Sequence, residues 1–510
     1  MPSTTFQTAA ASAAILLSAT AGLAQPTPVA LSGTAAPGGG SYNGFDIPVL
    51  NGAGQVAFRA SLTGTDGASN EGIFVGAPGS VVTVVRTGTA VPGGGTYSGF
   101  GRPVLNGAGQ VAFQAGWTGG TSTVGIFAGG PGAIAVVARN NTAAPAGGNY
   151  QFFSAPVLNR GGQVAFNASL TGGTSATGIF AGVPGLIAAV ALRGTAAPGG
   201  ENYDFFSSIN SPALSGTGQV GFYSQLTGGT GFGNFGIFAG APGSIAVAAR
   251  SGTAAPAGGN YRGLGFTNPG LNEAGQVAFT ADLTGGTSNQ GFFTGTPGAI
   301  TAVALNGAPA PAGGNYEGFN GEEGFLVNGA GQVAFYAFLI SGGTSNEGLF
   351  VGRPSSVVAV ALGGTAAPGG GSFSSFDFDN PTLNGAGQVA FTATLSGSGI
   401  TSANDLALFA GLPGALTKII REGDVIDVDP GLGIALRTVG TFSGEDSIQF
   451  LTESGGQDGR GMSFNDSGLL VYRLSFTDGS SGVFTSVVPE PAALSLLAIA
   501  GLGLLRRRRA

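Results

Sequence analysis

The hydrophobic positions of this chain fall into short runs separated by polar, glycine-rich turns, with no helical stripe. The clearest unit is Asn51-Gly52-Ala53-Gly54-Gln55-Val56-Ala57-Phe58, a turn leading into a strand-forming segment. Matching blocks begin at Asn106, Asn159, Ser215, Asn272, Asn328, Asn384 and, more weakly, Asn465, in steps of 55, 53, 56, 57, 56, 56 and 81 residues. A fixed period of this size marks a propeller or another repeat array and exceeds one WD40 unit. Four strand signals recur in each period. The first is a short segment such as Phe153 to Leu158, and the second is Gln-Val-Ala-Phe, after an Asn-Gly turn whose residues accept positive φ. The third is Gly-Ile-Phe, as in Gly72-Ile73-Phe74. A Pro-Gly turn such as Pro78-Gly79, with the signature of type II, then leads to a β-branched run such as Val81 to Val85. Four antiparallel strands in one period make a propeller blade.

The ends of the array predict ring closure. Pro28 to Pro37 matches the fourth strand and following loop of other units, as at Val358 to Pro368, whereas the eighth unit stops after its third strand, near Val487. The N-terminal strand then completes the last blade and removes two free sheet edges. An open solenoid would need atypical polar capping units, and none is evident. The expected fold is all-β: a β-propeller of about eight four-stranded blades over residues 25–487.

Composition narrows the chemistry. Gly and Pro together reach 126 of 510 residues, which alone suggests a low-complexity chain. The hydrophobic share of 43% against a charged share of 8% instead supports a packed core. The sequence has no Cys and no His, and its only Lys is Lys418. Thiol nucleophiles, Ser-His pairs, ordinary zinc sites and a disulfide framework are therefore excluded. A net charge of −7 with scattered Arg argues against nucleic acid as a partner.

Both termini read as targeting segments. Residues 1–24 carry an Ala-rich apolar stretch ending in small residues, a signal peptide with cleavage after Ala24, although its first eight residues hold no Lys or Arg. Residues 488–510 contain Pro489-Glu490-Pro491, an apolar run from Ala492 to Leu505, and the cluster Arg506, Arg507, Arg508 and Arg509. The Arg cluster holds that end in the cytoplasm and leaves the repeats on the far side of the membrane. Fourteen helical residues cover about 21 Å, short of a roughly 30 Å hydrocarbon core, so the inner-membrane helix is a transient stop. This tail resembles the PEP-CTERM sorting signal of bacteria that secrete exopolysaccharide. The resemblance implies processing by an exosortase-type enzyme and delivery to the cell surface or its matrix; a plain C-terminal anchor is the alternative. The repeat block itself is similar to the tandem-repeat NxxGxxVAF family with a variable anchor. It also resembles, more distantly, TolB-type propeller blades. Neither resemblance implies a catalytic activity.

Candidate chemistry is sparse. The Asn-Gly-Ala-Gly turns lead into strands rather than helices, so they lack the dipole of a phosphate loop. Asn167-Ala168-Ser169 matches a glycosylation acceptor by coincidence, and the repeated Phe at 58, 113, 166, 222, 279, 335 and 391 is expected in the core. Carboxylates are uneven: 13 of 25 fall between Asp377 and Asp478, around an acidic insertion at about 424–462. Asp424, Asp427 and Asp429 sit in a Gly-Pro-rich loop, and Glu445, Asp446, Glu453 and Asp458 follow around an expected extra hairpin. A solvated acidic surface is the first reading; Ca²⁺, which favours clustered oxygens on loops, is the second, and a glycosidase carboxylate pair the third. The Thr-Ala-Ala-Pro-Gly-Gly loops, the Leu-Thr-Gly-Gly-Thr loops and the insertion are expected on one face, the candidate ligand face. The leading reading is an exported surface or matrix protein that acts by binding or architecture. A secreted carbohydrate-active hydrolase or lyase is the alternative.

Overall fold

The computed structural model describes residues 25–489, apart from short stretches at 68–69, 146, 207–210, 229–233, 257, 266–267, 312, 320–325, 341–342, 344, 377–380, 430–433, 441–446 and 452–461. The signal peptide and the tail beyond Pro489 lie outside the described residues. Every named element is a β-strand, and the strands form an eight-bladed propeller of four-stranded sheets.

In blade 1, strand a comprises Ser41–Phe45 and Val49–Leu50, b is Val56–Thr63, c is Glu71–Gly76 and d is Val82–Arg86, paired in that order. Both halves of strand a pair with b, and a register shift between Tyr42 and Gly44 marks a bulge. Blades 2 to 7 repeat the order, with strands a starting at Thr96, Asn149, Tyr203, Asn260, Asn315 and Ser372. Blade 8 consists of Ile448–Gln449, Leu469–Ser475 and Ser481–Val487, with Thr27–Leu31 as its outer strand. Thr27 lies opposite Thr485 and Leu31 opposite Gly482, which is the ring closure that the two ends of the sequence predict.

The core lies between blades. Phe166 and Phe180 of blade 3, fully buried, share one cluster with Ile126 and Val137 of blade 2. Val29 and Ala30 of the closing strand share another with Phe58 and Leu62 of blade 1. Each sheet thus buries both faces against its neighbours, which explains why strands b and c read as nearly continuous apolar runs rather than alternating ones.

The motif turn differs from the simple Asn-Gly hairpin expected. The Gly54 amide donates to Asn51 O at 3.0 Å and the Asn51 amide donates to Gln55 O at 2.9 Å, closing a three-residue loop. The positive φ sits at Gly54 (80°), not at Asn51 or Gly52. This is a type I turn followed by a left-handed residue, the common three-residue hairpin. Asn51 Oδ1 accepts the amides of Ala53 and Gln55, and its Nδ2 donates to Gln55 Oε1 and, across the blade boundary, to Asn106 O at 2.9 Å. The same inter-blade bond runs from Asn106 to Asn159, Asn159 to Ser215, Asn272 to Asn328, Asn328 to Asn384, Asn384 to Asn465 and Asn465 back to Asn51. Only Ser215, with no side-chain amide to reach Asn272, interrupts the ring. The motif Gln packs into the next blade: a Cβ at Gly109 would lie 2.9 Å from Gln55 Oε1. That Gly therefore serves both its own turn and its neighbour's side chain.

Candidate functional site

The acidic insertion divides between two places. Part of it forms a hairpin, Val425–Asp427 with Leu436–Thr438, between strand d of blade 7 and strand a of blade 8, and residues 441–446 and 452–461 lie outside the described residues. A hairpin thus forms around Asp427, and the segment around Glu445 to Asp458, where the sequence reading expects an extra one, lies mostly outside the described residues. Asp424 accepts both contacts of Lys418 Nζ, at 3.0 and 2.9 Å, and the Arg421 amide at 2.9 Å. Asp427 Oδ1 accepts the amides of Asp429 and Ala435, at 3.1 and 3.0 Å, which closes the hairpin end. Asp429 is exposed. Glu445, Asp446 and Asp458 lie outside the described residues. Among the described residues no three acids group to hold a metal ion. Nearby, buried Glu422, just after strand d of blade 7, accepts Ser447 Oγ, just before strand a of blade 8, at 2.7 Å. Burial pushes its carboxyl above the ordinary range against the pull of the Ser447 and Leu406 hydrogen bonds, and neighbouring Asp405 adds to the rise.

The loops between strands d and a and those between b and c share one face, as expected. A Cβ at Gly40 would lie 2.8 Å from Thr63 O, and one at Gly148 2.7 Å from Thr171 O, so each d–a loop rests on its blade's b–c loop. The insertion hairpin joins them: the Thr477 amide donates to Thr438 O at 3.0 Å, and Arg437 Nη1 to Ser480 Oγ at 2.7 Å. The hairpin is more apolar than its acids suggest. Ile426, Val428 and Val439 are buried in the core of blades 7 and 8, while Val425, Ile434 and Leu436 are exposed.

The opposite face holds an axial cavity of about 400 Å³, lined by Arg160, Ser215, Asn272, Glu273, Asn328 and Asp466 among others. Its charges all follow the motif Asn directly, a position occupied by Gly in the other five blades. Arg160 of blade 3 and Glu273 of blade 5 pair at 2.9 Å, so the ion pair bridges blade 4, where Ser215 interrupts the Asn ring. Asp466 Oδ1 accepts the Gly385 amide of blade 7 at 2.6 Å, and a Cβ at Gly385 would meet the same carboxylate at 2.6 Å. Sequence reasoning missed these three residues. Their signal is the breach of an otherwise glycine-only column of the repeat, read down all eight units at once.

A search of curated proteins finds no match. Among solved structures the chain is similar to puromycin hydrolase (13% identity, 78% of this chain and 58% of that one, TM-score 0.40). It is also similar to the β-propeller domain of the Trilobed protease from Pyrococcus furiosus (9%, 76% and 98%, 0.38) and to oligogalacturonate lyase in complex with manganese (10%, 74% and 99%, 0.37). The chain thus spans under two thirds of the length of puromycin hydrolase. Residues 7–234 and 226–495 match a family described as a family of unknown function, DUF7453, in two overlapping passes that take in all eight blades; the chain belongs to this family.

Proposed function

We propose that the chain is an exported protein of the cell surface or extracellular matrix, whose propeller binds or builds and does not catalyse. The observation that carries this reading is how its charged side chains are used. Arg59 is bound by Asp46 and Glu71, Arg193 by Asp204, Arg250 by Glu201, Lys418 by Asp424 and Arg437 by Asp478. These pairs hold blades and loops together. With no His or Cys in the sequence, general acid-base work would fall to carboxylates. The described acids of the insertion are occupied in closing its hairpin or facing solvent. The two ends supply the route: a signal peptide cleaved after Ala24, then a PEP-CTERM-like tail processed by an exosortase-type enzyme, with exopolysaccharide or another matrix component as partner.

Two measurements test the reading. Purified protein incubated with polysaccharides should retain them without releasing products. Product release that disappears in Glu445→Gln or Asp446→Asn would replace binding with hydrolysis or lyase chemistry. In the native cell, replacing Arg506 to Arg509 by Ser should leave the tail unprocessed or the protein freely secreted, and unchanged size and location would count against sorting.

A further inference from the structure

The last residue of strand d faces strand c across the ladder, as Arg139 faces Gly125 in blade 2. Blades 3, 5, 6 and 8 place Leu192, Leu305, Leu362 and Leu31 there, and blades 1, 4 and 7 place Arg86, Arg250 and Arg421. In blade 4 acceptors hold the guanidinium: Arg250 Nη1 donates to Gly199 O at 2.8 Å and Nη2 pairs with Glu201. In blade 7 Arg421 Nε donates to Asn404 O. Arg139 is held without an acceptor. Its guanidinium lies over the Trp117 ring, 5.4 Å from the centroid, and a Cβ at Gly93 would sit 2.5 Å from its Nη2. It makes no hydrogen bond or ion pair with the described residues, and its Nε is buried without a partner.

The indole is itself a departure from the repeat. Eleven residues after the motif Asn, blades 1 and 3 to 7 have Leu, from Leu62 to Leu395, and blade 8 has Phe476; Trp117 is the only Trp of the chain. It is 3% exposed and edge-on to Phe127 at 5.6 Å, and a Cβ at Gly95 would meet its Cδ1 at 2.7 Å, so the ring is fixed. An aromatic face attracts a cation through its quadrupole and uses none of the five N–H donors of the guanidinium. Trp117 thus orients the head group and leaves its donors unspent, whereas Glu201 and Gly199 take those of Arg250. The charge around it is one-sided. Gly72 to Gly200 contain five Arg and no Asp, Glu or Lys, a balance of +5 within a chain of net −7. Arg160 and Arg193 take their carboxylates, Glu273 and Asp204, from beyond this span, and blade 2 has none to offer Arg139.

We propose that the Arg139 head group, held between Trp117 and the Gly93–Gly95 loop, binds a carboxylate of an acidic, uronate-bearing polysaccharide. The inference rests on the binding reading above and names its ligand class. Arg139 is half-buried on the face that carries the d–a and b–c loops, which meet here where a Cβ at Gly119 would lie 3.5 Å from Gly95 Cα. A planar guanidinium with free donors matches a planar carboxylate through two parallel N–H···O bonds. One positive charge balances the single negative charge of a uronate, whereas a phosphate monoester brings about −1.5 to −2. Because Trp117 already fixes the guanidinium, little side-chain freedom is lost when the carboxylate arrives.

The test titrates the full-length protein with trigalacturonate, with cellotriose as the neutral counterpart and triglutamate as a carboxylate without sugar, by calorimetry and ligand-observed NMR. Trigalacturonate should bind and the other two should not. Arg139→Leu copies the residue of blades 3, 5 and 6, so it should melt as wild type does and weaken binding by about tenfold or more. Trp117→Leu restores the residue of the neighbouring blades and releases the head group, and should weaken binding to a smaller extent. Arg102→Ser, at the other charge of blade 2, should change nothing. Absence of trigalacturonate binding, equal binding of cellotriose, preference for triglutamate, or equal losses in Arg139→Leu and Arg102→Ser overturns the proposal. Retention of polysaccharide unaltered by Arg139→Leu also overturns this site but leaves the binding reading standing, whereas a protein that retains no polysaccharide at all sinks both.

Discussion

Blades 1 to 7 and blade 8 solve the same packing problem with different parts. In the first seven a Phe of strand b stacks on a Phe of strand c, from Phe58 on Phe74 to Phe391 on Phe409, with centroids 5.4–5.8 Å apart. A strand a aromatic such as Tyr42 or Phe373 meets the c-strand ring edge-on at 5.1 Å. Blade 8 pairs Tyr472 with Phe484 at 6.5 Å and replaces the strand a wedge with Phe476, edge-on to Phe484 at 5.9 Å. Its strand a shrinks to Ile448–Gln449, its outer strand comes from the other end of the chain, and the insertion hairpin supplies Ile426, Val428 and Val439 to its core. What all eight blades share is therefore not the aromatic core but the turn at the axis. Asn384 still donates to Asn465 O, and Asn465 to Asn51 O. The circumferential hydrogen bonds recur at seven of the eight blade boundaries, whereas the core adapts to whichever residues fill it.

Breaking the closure should have the largest effect. Deleting Pro28 to Gly33 removes Val29, Ala30 and Leu31 from the core and leaves strand c of blade 8 as an open edge. Burial of a Val and a Leu alone is worth about 3–6 kcal/mol, and an unpaired edge invites association. The truncated protein should melt well below wild type and aggregate on concentration, as followed by calorimetry and light scattering. An unchanged melting temperature would mean that the termini do not meet in solution.

The Asn ring gives the next comparison, between a link that exists and one that does not. Asn328→Ala strips the donor from Asn384 O and the acceptor from the Ala330 and Gln332 amides, a loss of about 1–3 kcal/mol. Ser215→Asn supplies the amide that blade 4 lacks and should stabilise by about 1 kcal/mol if it reaches Asn272 O. Chemical denaturation of both variants reads the difference, and stabilities that move together would mean that the ring carries no strain-free register of its own.

The period, the four strands of each blade and the closing strand were legible because each depends on local pattern: turn residues at fixed offsets and apolar runs of strand length. The role of the motif Asn was not. From the sequence it reads as a turn former, and its bond to the next Asn spans 55 residues in blade 1 and 414 residues at the closure. The position of Arg160, Glu273 and Asp466 at one axial mouth likewise follows only from which columns of the repeat face each other across a blade boundary. In the acidic insertion, sequence counted charges, whereas the fold uses Ile426, Val428 and Val439 as anchors and gives Asp424 and Asp427 structural partners. Charge clustering was visible, but the alternation that buries one side of a short hairpin was too brief to detect.

The smallest effect is expected where the two kinds of blade are joined. Glu422 is buried beneath the insertion, with its carboxyl raised by that burial, so it is held more comfortably when protonated than when ionised. A carboxyl whose folded value lies above its unfolded one contributes stability below the unfolded value, near pH 4.5, and loses that contribution as the pH climbs through the folded value. Glu422→Gln keeps an oxygen for Ser447 Oγ at 2.7 Å and removes the ionisation. The variant should therefore match wild type in mild acid and be slightly more stable at neutral pH, with the gap opening as the pH rises above that of an ordinary carboxylate. A variant less stable than wild type at neutral pH would show that Glu422 works as a charged partner, and would move the tie between blades 7 and 8 from hydrogen bonding to electrostatics.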